Sequence, residues 1–168
     1  MIRILTKLSF VAILFFAPTS WAQDNSGNQE ILVQGDFEEM RRTDVAKVTE
    51  VINPLVVKLE DGRFIHLAGL DYPDLNYHDP GQLSVTALKI LEDFLTNQTV
   101  AIYQTPSADK GRKNRLGHNI AHLKRQDNDV WVQGMLLALG VARTRTTQYN
   151  PEMASQMLIL EDANRQTA

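Results

Sequence analysis

The fold is decided by the stretch Leu67-Ala68-Gly69-Leu70-Asp71-Tyr72-Pro73-Asp74 and by the residues that lead into it. The pair Asp61-Gly62 is a hairpin signal, and the run from Phe64 to Leu70 is predicted to form the return strand of that hairpin. Two more apolar, β-branched runs precede the hairpin and are separated by a turn at Asn53-Pro54. The region therefore predicts a compact meander of three strands, which are Val45–Ile52, Leu55–Leu59 and Phe64–Leu70.

The rest of the chain predicts helices and further strands around this meander. Pro80-Gly81 opens a helix whose apolar residues recur at helical spacing, at Leu83, Ala87, Leu88, Leu91, Phe94 and Leu95. Short strands are predicted over Val100–Tyr103 and Ile120–Leu123, a second helix over Val130–Leu139, and a third helix after Asn150-Pro151. This order of elements predicts a small β-barrel with helices packed on it.

The first residues are predicted to be a targeting segment that is separate from the fold. Arg3 and Lys7 precede an apolar run, Leu8–Phe16, and the small residue Ala22 closes the segment, which is the order of a secretory signal peptide. We therefore expect residues 1–22 to be removed, residues 23–43 to be a flexible segment and residues 44–168 to form the domain. The protein is expected to be exported, to the periplasm or the medium, with no transmembrane segment in its mature form.

Charge and cysteine content narrow the classes of function. The chain has a net charge of −3 and no cysteine. Loss of Arg3 and Lys7 would make the mature chain more negative, so nucleic acid could be bound only through a local basic patch. Disulfides, thiolate metal sites and cysteine nucleophiles are excluded.

Three motifs, in order, resemble those of the staphylococcal nuclease (thermonuclease) family. Leu67–Asp74 resembles the first signature, in which a strand ends in Gly-(Ile/Val)-Asp-x-Pro-Glu, and Asn114-Arg115-Leu116-Gly117-His118-Asn119-Ile120-Ala121 resembles the second, Asp-(Arg/Lys)-Tyr-Gly-Arg-x-Leu-Ala. The stretch from Trp131 to Ala142 resembles the family's helix that ends in Gly-(Leu/Val)-Ala. The resemblance implies an α+β, mainly β fold: an OB-type five-stranded barrel with three packed helices.

The resemblance also implies a catalytic site, which is degenerate in this chain. Asp71 matches one of the two calcium-binding aspartates, whereas Leu55 stands where the family has the other. Asp74 matches the general-base glutamate, and His66 and His118 match the two arginines that clamp phosphate. Calcium, the metal that the family implies, needs several oxygen ligands, so Leu55 weakens that site.

The two histidines change what the site can do to a phosphate. Arginine is a permanent cation, whereas a histidine near its reference pKa is only about one-tenth charged at pH 7.5. An arginine that stabilises phosphoryl charge is worth about 10³–10⁵ in rate. Family-type hydrolysis is therefore expected to be weak or absent.

Three hypotheses on function remain open from the sequence. The first is a binding or accessory module whose partner is a nucleic acid, a nucleotide phosphate or a protein; the second is a phosphodiesterase that acts on DNA or RNA with an altered site. The third is a site in which His66 and His118, with Asp71, hold zinc or another transition metal, or in which the histidines alone bind anions at low pH.

Some other residues carry two interpretations each. The basic cluster Lys110, Arg112, Lys113 and Arg115 is either a phosphate contact or a solvated loop. Tyr77-His78 either lines the same pocket as Asp74 or is exposed. His122 either shares a strand face with His118 or is a partly buried residue bonded to the backbone.

Overall fold

The computed structural model describes residues 33–106, 112–146 and 151–167. The expected signal peptide, Lys110 and Asn150 lie outside these residues. The described chain forms strands β1 (Arg41–Asn53), β2 (Val56–Leu59), β3 (Phe64–Leu67), β4 (Leu70–Asp71), β5 (Thr99–Gln104), β6 (Asn119–Arg125) and β7 (Arg143–Thr144). Its helices are α1 (Gln82–Leu95), α2 (Val132–Ala138) and α3 (Ala154–Thr167). None of the described helices has both the length and the apolar character needed to cross a membrane.

Five of the strands close into a barrel in the order β1-β2-β3-β6-β5. Neighbouring strands are antiparallel except β3 and β6, which are parallel and pair Ile65 with Asn119 and His66 with Ile120. The predicted fold class is confirmed: the described residues form an OB-type five-stranded barrel with three helices.

Alternation along β3 separates the barrel interior from its outer face. Ile65 and Leu67 are fully buried, whereas Phe64 and His66 are only partly buried. Successive side chains of a strand point to opposite faces, so Phe64 and His66 share the outer face. The candidate site residue His66 therefore lies on the outside of the barrel.

The predicted return strand Phe64–Leu70 is wrong beyond Leu67. The chain turns at Gly69, whose φ of +76° is in the left-handed region that glycine adopts without a steric penalty. Leu70 and Asp71 then form β4, which pairs with β7 away from the barrel. Asp71 consequently leaves the sheet that carries His66.

The helices cover the barrel with their apolar residues. The buried residues of α1 are Ser84, Ala87, Leu91 and Leu95, whereas Leu83, which was predicted to lie on the apolar face, is 39% exposed. Residues 132–137 of α2 are all buried. The last helix begins at Ala154, later than Asn150-Pro151 predicted, and Met153 just before it has a φ of +64°.

The folded region begins before the predicted domain start at residue 44. β1 starts at Arg41, and Val33, Phe37 and Met40 pack against the core. The backbone N–H of Trp131 donates to the carbonyl of Val33 at 2.8 Å. Residues 33–43, expected to be flexible, are therefore part of the packed unit.

Candidate functional site

His66 and His118 line one cleft of about 400 Å³ on the outer face of the barrel. Leu55, at the position where the family resemblance implies a metal aspartate, lines the same cleft. The other lining residues are uncharged and mostly apolar or aromatic: Ile52, Asn53, Val56, Phe64, Tyr77, Asn114 and Leu116. The described chain thus brings together three of the positions that the resemblance singles out.

Strand pairing and a tight turn fix the two imidazoles. His66 pairs with Val56 on β2 and with Ile120 on β6. His118 ends a turn in which the Asn114 side-chain oxygen accepts the backbone N–H of Leu116 at 2.9 Å and of His118 at 3.0 Å. Gly117 supplies the positive φ, +81°, that this turn requires.

The electrostatics of the cleft favour the neutral form of His66. Burial lowers the pKa of His66, and the neighbouring His118 lowers it further, although a backbone hydrogen bond at Leu67 opposes both. The His118 ring lies 5.1 Å from the Phe64 ring, tilted by 31°. Within the described residues, the buried His118 Nδ1 has no hydrogen-bond partner.

Asp71 lies outside the lining of this cleft. It sits on β4, and its carboxylate is 3.6 Å from Arg145 Nη1. Asp71, which the resemblance implies as a metal ligand, is therefore paired with a cation rather than placed beside the two imidazoles.

Asp74 caps the first helix. Its carboxylate accepts the backbone N–H groups of Leu83 and Ser84, at 2.8 and 3.3 Å, and the Ser84 hydroxyl at 2.6 Å. These hydrogen bonds, that of the Ser84 hydroxyl first, lower the pKa of Asp74. A carboxylate so occupied is a poor general base, because its lone pairs are directed at the helix.

The cap makes a testable contribution to stability. Asp74→Ala is expected to lower the melting temperature by about 3 °C or more, because the first turn of α1 loses its only side-chain acceptor. Asp74→Asn keeps one side-chain oxygen, so its melting temperature should fall clearly less than that of Asp74→Ala. Thermal unfolding by circular dichroism measures both variants, and equal melting temperatures for wild type and Asp74→Ala would refute the capping role.

No group of three His, Cys, Asp or Glu side chains in the described part of the chain is arranged to hold a metal ion. His66 and His118 supply two imidazoles in one cleft, while Asp71 lies elsewhere and Asp74 caps α1. The ligand set of His66, His118 and Asp71 considered from the sequence is not assembled among these residues.

The described residues of the basic cluster, Arg112, Lys113 and Arg115, lie in different environments. Arg112 reaches Thr105 Oγ1 and Glu152, the latter at 3.3 Å, so it ties the loop to the segment before α3. Lys113 and Arg115 are exposed. Of the described members of the cluster, Arg112 is thus bound to neighbouring side chains, and Lys113 and Arg115 face solvent.

The structure separates Tyr77 from His78, and it places His122 in a setting that neither of its two alternatives describes fully. Tyr77 lines the cleft of His66, whereas its neighbour His78 is exposed. His122 is fully buried and accepts a hydrogen bond from Trp131 Nε1 at 3.3 Å. His118 precedes the first residue of β6, so the alternation that would link it to His122 does not reach it.

Sequence reasoning missed Phe64 and Leu116 as parts of the site. Phe64 could have been found from its position two residues before His66, which places both on one strand face. Leu116 carries no such signal, since its position depends on the turn that precedes β6. Comparison of the chain with protein-family models and with curated proteins gives no match in either case.

Proposed function

We propose that this protein is a binding module that holds a ligand in the cleft of His66 and His118 without cleaving a phosphodiester bond. The observation that carries the proposal is the absence of Asp, Glu, Lys and Arg from the described residues that line the cleft. A transferring phosphoryl group needs cationic stabilisation, and calcium needs several oxygen ligands. Leu55 and a neutral His66 provide neither.

The rings in the cleft suggest a ligand with a flat, uncharged group. Phe64, His66, Tyr77 and His118 all line it. At its rim, Tyr77 is 76% exposed and Leu116 is 78% exposed. Exposed apolar and aromatic side chains around a concave site are typical of ligand-binding surfaces, and aromatic rings stack on planar groups such as nucleobases.

The position of the cleft on the barrel agrees with this interpretation. It lies beside β2 and β3, between the turn at Asn53-Pro54 and the segment Asn114–His118 that leads into β6. In OB-type barrels the corresponding face and loops often bind ligands, oligonucleotides among them. This support is an analogy of fold alone.

A transition-metal site is the second candidate, and the presence of both His66 and His118 in one cleft favours it. Two imidazoles are suitable ligands for zinc, but catalytic zinc sites use three protein ligands. A third ligand would have to come from the bound molecule or from solvent. Zinc binding that is lost in both His66→Ala and His118→Ala would favour this candidate over ring stacking.

The absence of family-type hydrolysis is directly testable. With calcium at neutral pH, the protein is expected to cleave single-stranded DNA and RNA no faster than its Asp71→Ala variant. The reason is that Leu55, His66 and His118 leave the cleft without a metal carboxylate or a permanent cation. Calcium-dependent cleavage that Asp71→Ala abolishes would overturn the proposal and restore the phosphodiesterase hypothesis.

Ligand binding is tested in the same protein by nuclear magnetic resonance with adenosine, an uncharged planar probe. Shift changes are expected at Phe64–His66 and around Leu116. Leu116→Ser should weaken binding several-fold, whereas Ile159→Ser, which removes an apolar side chain that is 67% exposed on α3, should not. Equal effects of the two substitutions, or shift changes remote from the cleft, would contradict the assignment.

A further inference from the structure

A second cleft of about 400 Å³ is lined by three arginines, Arg41, Arg42 and Arg63. It shares no lining residue with the cleft of His66 and His118. The two clefts are nevertheless close along the chain, since Arg63 precedes Phe64 and Asn119, which also lines the second cleft, follows His118.

A β-bulge explains how consecutive residues come to line the second cleft. β1 pairs Arg42 with Tyr103 and Asp44 with Ile102, so Thr43 is an extra residue on the β1 side. Consecutive residues of a regular strand point to opposite faces, whereas a bulge locally re-aims them. The run from Arg41 to Asp44 can therefore line one concavity.

The carboxylate in this cleft is already neutralised. Asp44 accepts the backbone N–H of Val45 at 2.8 Å and pairs with Arg63 Nη2 at 2.5 Å, and these interactions lower its pKa. Arg63 also pairs with Asp61 at 2.5 Å, so its guanidinium is held in place from two sides. A guanidinium fixed in this way loses little freedom when a further ligand binds.

Arg42 is the cation that remains available. It is exposed, and within the described residues it makes no ion pair or hydrogen bond through its side chain. Arg41 lines the same cleft beside it. A concentration of arginines is notable in a chain whose net charge is −3, since no overall positive field would gather anions here.

We propose that the cleft of Arg41, Arg42 and Arg63 binds a phosphate-type oxyanion. The planar fork of a guanidinium matches the oxygens of a phosphate and forms charge-assisted hydrogen bonds to them. The anion is either a free phosphate or pyrophosphate, or the backbone phosphate of a single-stranded nucleic acid. The proposal stands independently of the ligand suggested for the cleft of His66 and His118.

Calorimetric titration of the purified protein with sodium pyrophosphate tests the site. Saturable binding is expected, and Arg42→Ala should weaken it by about tenfold, since one charge-assisted contact is lost. The matched control is Lys89→Ala, which removes the same charge from an exposed position on α1 and should change affinity less than twofold. Arg42→Lys keeps the charge without the fork and should fall between wild type and Arg42→Ala.

A second titration with a short thymidine oligonucleotide distinguishes the two sources of phosphate. Tighter binding of the oligonucleotide than of pyrophosphate, with the same loss in Arg42→Ala, assigns the site to a nucleic-acid backbone. Binding of pyrophosphate alone assigns it to a free anion. No saturable binding of either probe, or equal losses in Arg42→Ala and Lys89→Ala, overturns the proposal. Adenosine binding should be unchanged in Arg42→Ala, so the failure of one proposal is separable from the failure of the other.

Discussion

Replacing Trp131 with alanine is expected to lower the free energy of unfolding by about 3–5 kcal/mol, as truncation of a large buried aromatic ring does. Trp131 is completely buried where α2 meets the barrel. Its ring contacts the Phe37 ring edge-on at 6.0 Å and lies 5.7 Å from the His122 ring. An alanine would leave a cavity in contact with both, and it would remove the hydrogen bond to His122 Nδ1.

The surrounding backbone limits how far this cavity can collapse. A Cβ atom built on Gly134 would lie 2.4 Å from Trp131 Cε3, and one built on Gly35 would lie 2.9 Å from the same atom. Both segments are thus already packed against the ring. Because a rigid surrounding relaxes only partly, the cost of truncation should lie in the upper part of the usual range for core residues.

Urea denaturation of three variants measures this effect. Trp131→Phe keeps an aromatic ring but leaves His122 without its hydrogen-bond donor. Its free energy of unfolding should therefore lie between those of wild type and Trp131→Ala. Tyr77→Ala is the control, because it removes an aromatic ring that is 76% exposed and should have little effect on stability. A loss below about 1 kcal/mol for Trp131→Ala would show that Trp131 does not organise the junction of α2 with the barrel.

Acid is expected to destabilise the protein through His122. The loss of unfolding free energy is expected to be similar in size to that of Trp131→Ala. Burial lowers the pKa of His122 to about 3, and the positive charge of Arg112 adds to this. In the unfolded chain the pKa is about 6.5. The unfolded state therefore binds the proton more readily, so stability is complete above pH ~6.5 and falls as the pH drops toward ~3.

The expected loss between pH ~7.5 and pH ~4.5 is roughly 2–3 kcal/mol, measured by urea denaturation at each pH. His122→Leu should remove most of this dependence, although the variant is less stable at neutral pH because Trp131 Nε1 loses its acceptor. His66→Gln is the comparison, since the pKa of His66 is also lowered but the residue is less buried. An unchanged pH dependence in His122→Leu would exclude His122 as its source.

Below pH ~4.5, carboxylates rather than histidines dominate the pH dependence of stability. The pKa values of Asp44, Asp74, Asp127 and Glu161 are all lowered by hydrogen bonds or ion pairs in the fold. Their stabilising contributions are present above their unfolded pKa values of about 4 and are lost as the pH falls below them. The range between pH ~4.5 and ~6.5 therefore reports the two histidines whose pKa values are lowered, His66 and His122.

The barrel was predictable from the sequence because its strands are long enough to show their pattern. Three local patterns each indicate a preference that the fold satisfies: the apolar, β-branched run of β1, the Asn53-Pro54 break and the Asp61-Gly62 hairpin. β4 and β7 have two residues each, too few to show any period. For that reason the sequence predicts one continuous return strand through Leu70, without the break at Gly69.

The candidate site could be predicted from the sequence only in part, because its residues come from separate elements whose register the local sequence does not specify. His66 and His118 share a cleft because β3 pairs in parallel with β6, and no local pattern predicts that pairing. The family resemblance implied only that the two histidines serve one phosphate site. Asp74 was expected near them on the same grounds, but its carboxylate is used by the N-terminus of α1. The arginine cleft had no sequence signal, because Arg41, Arg42 and Arg63 come together only through the bulge in β1 and the closure of the barrel.

The parallel pairing of β3 with β6 also closes the barrel, and closure removes the strand edges at which copies of the chain could associate during folding. Until β6 is available, β3 lacks the partner residues 119–121 and β5 lacks the partner residues 122–125, so each strand retains an unpaired edge. Exposed edges of this kind add strands from other chains, and a closed barrel has none. Pairing between segments so distant in the sequence is also slow to form. Solubility during folding therefore depends on the last strand of the barrel, so truncation before Asn119 should give an aggregating fragment rather than a smaller soluble domain.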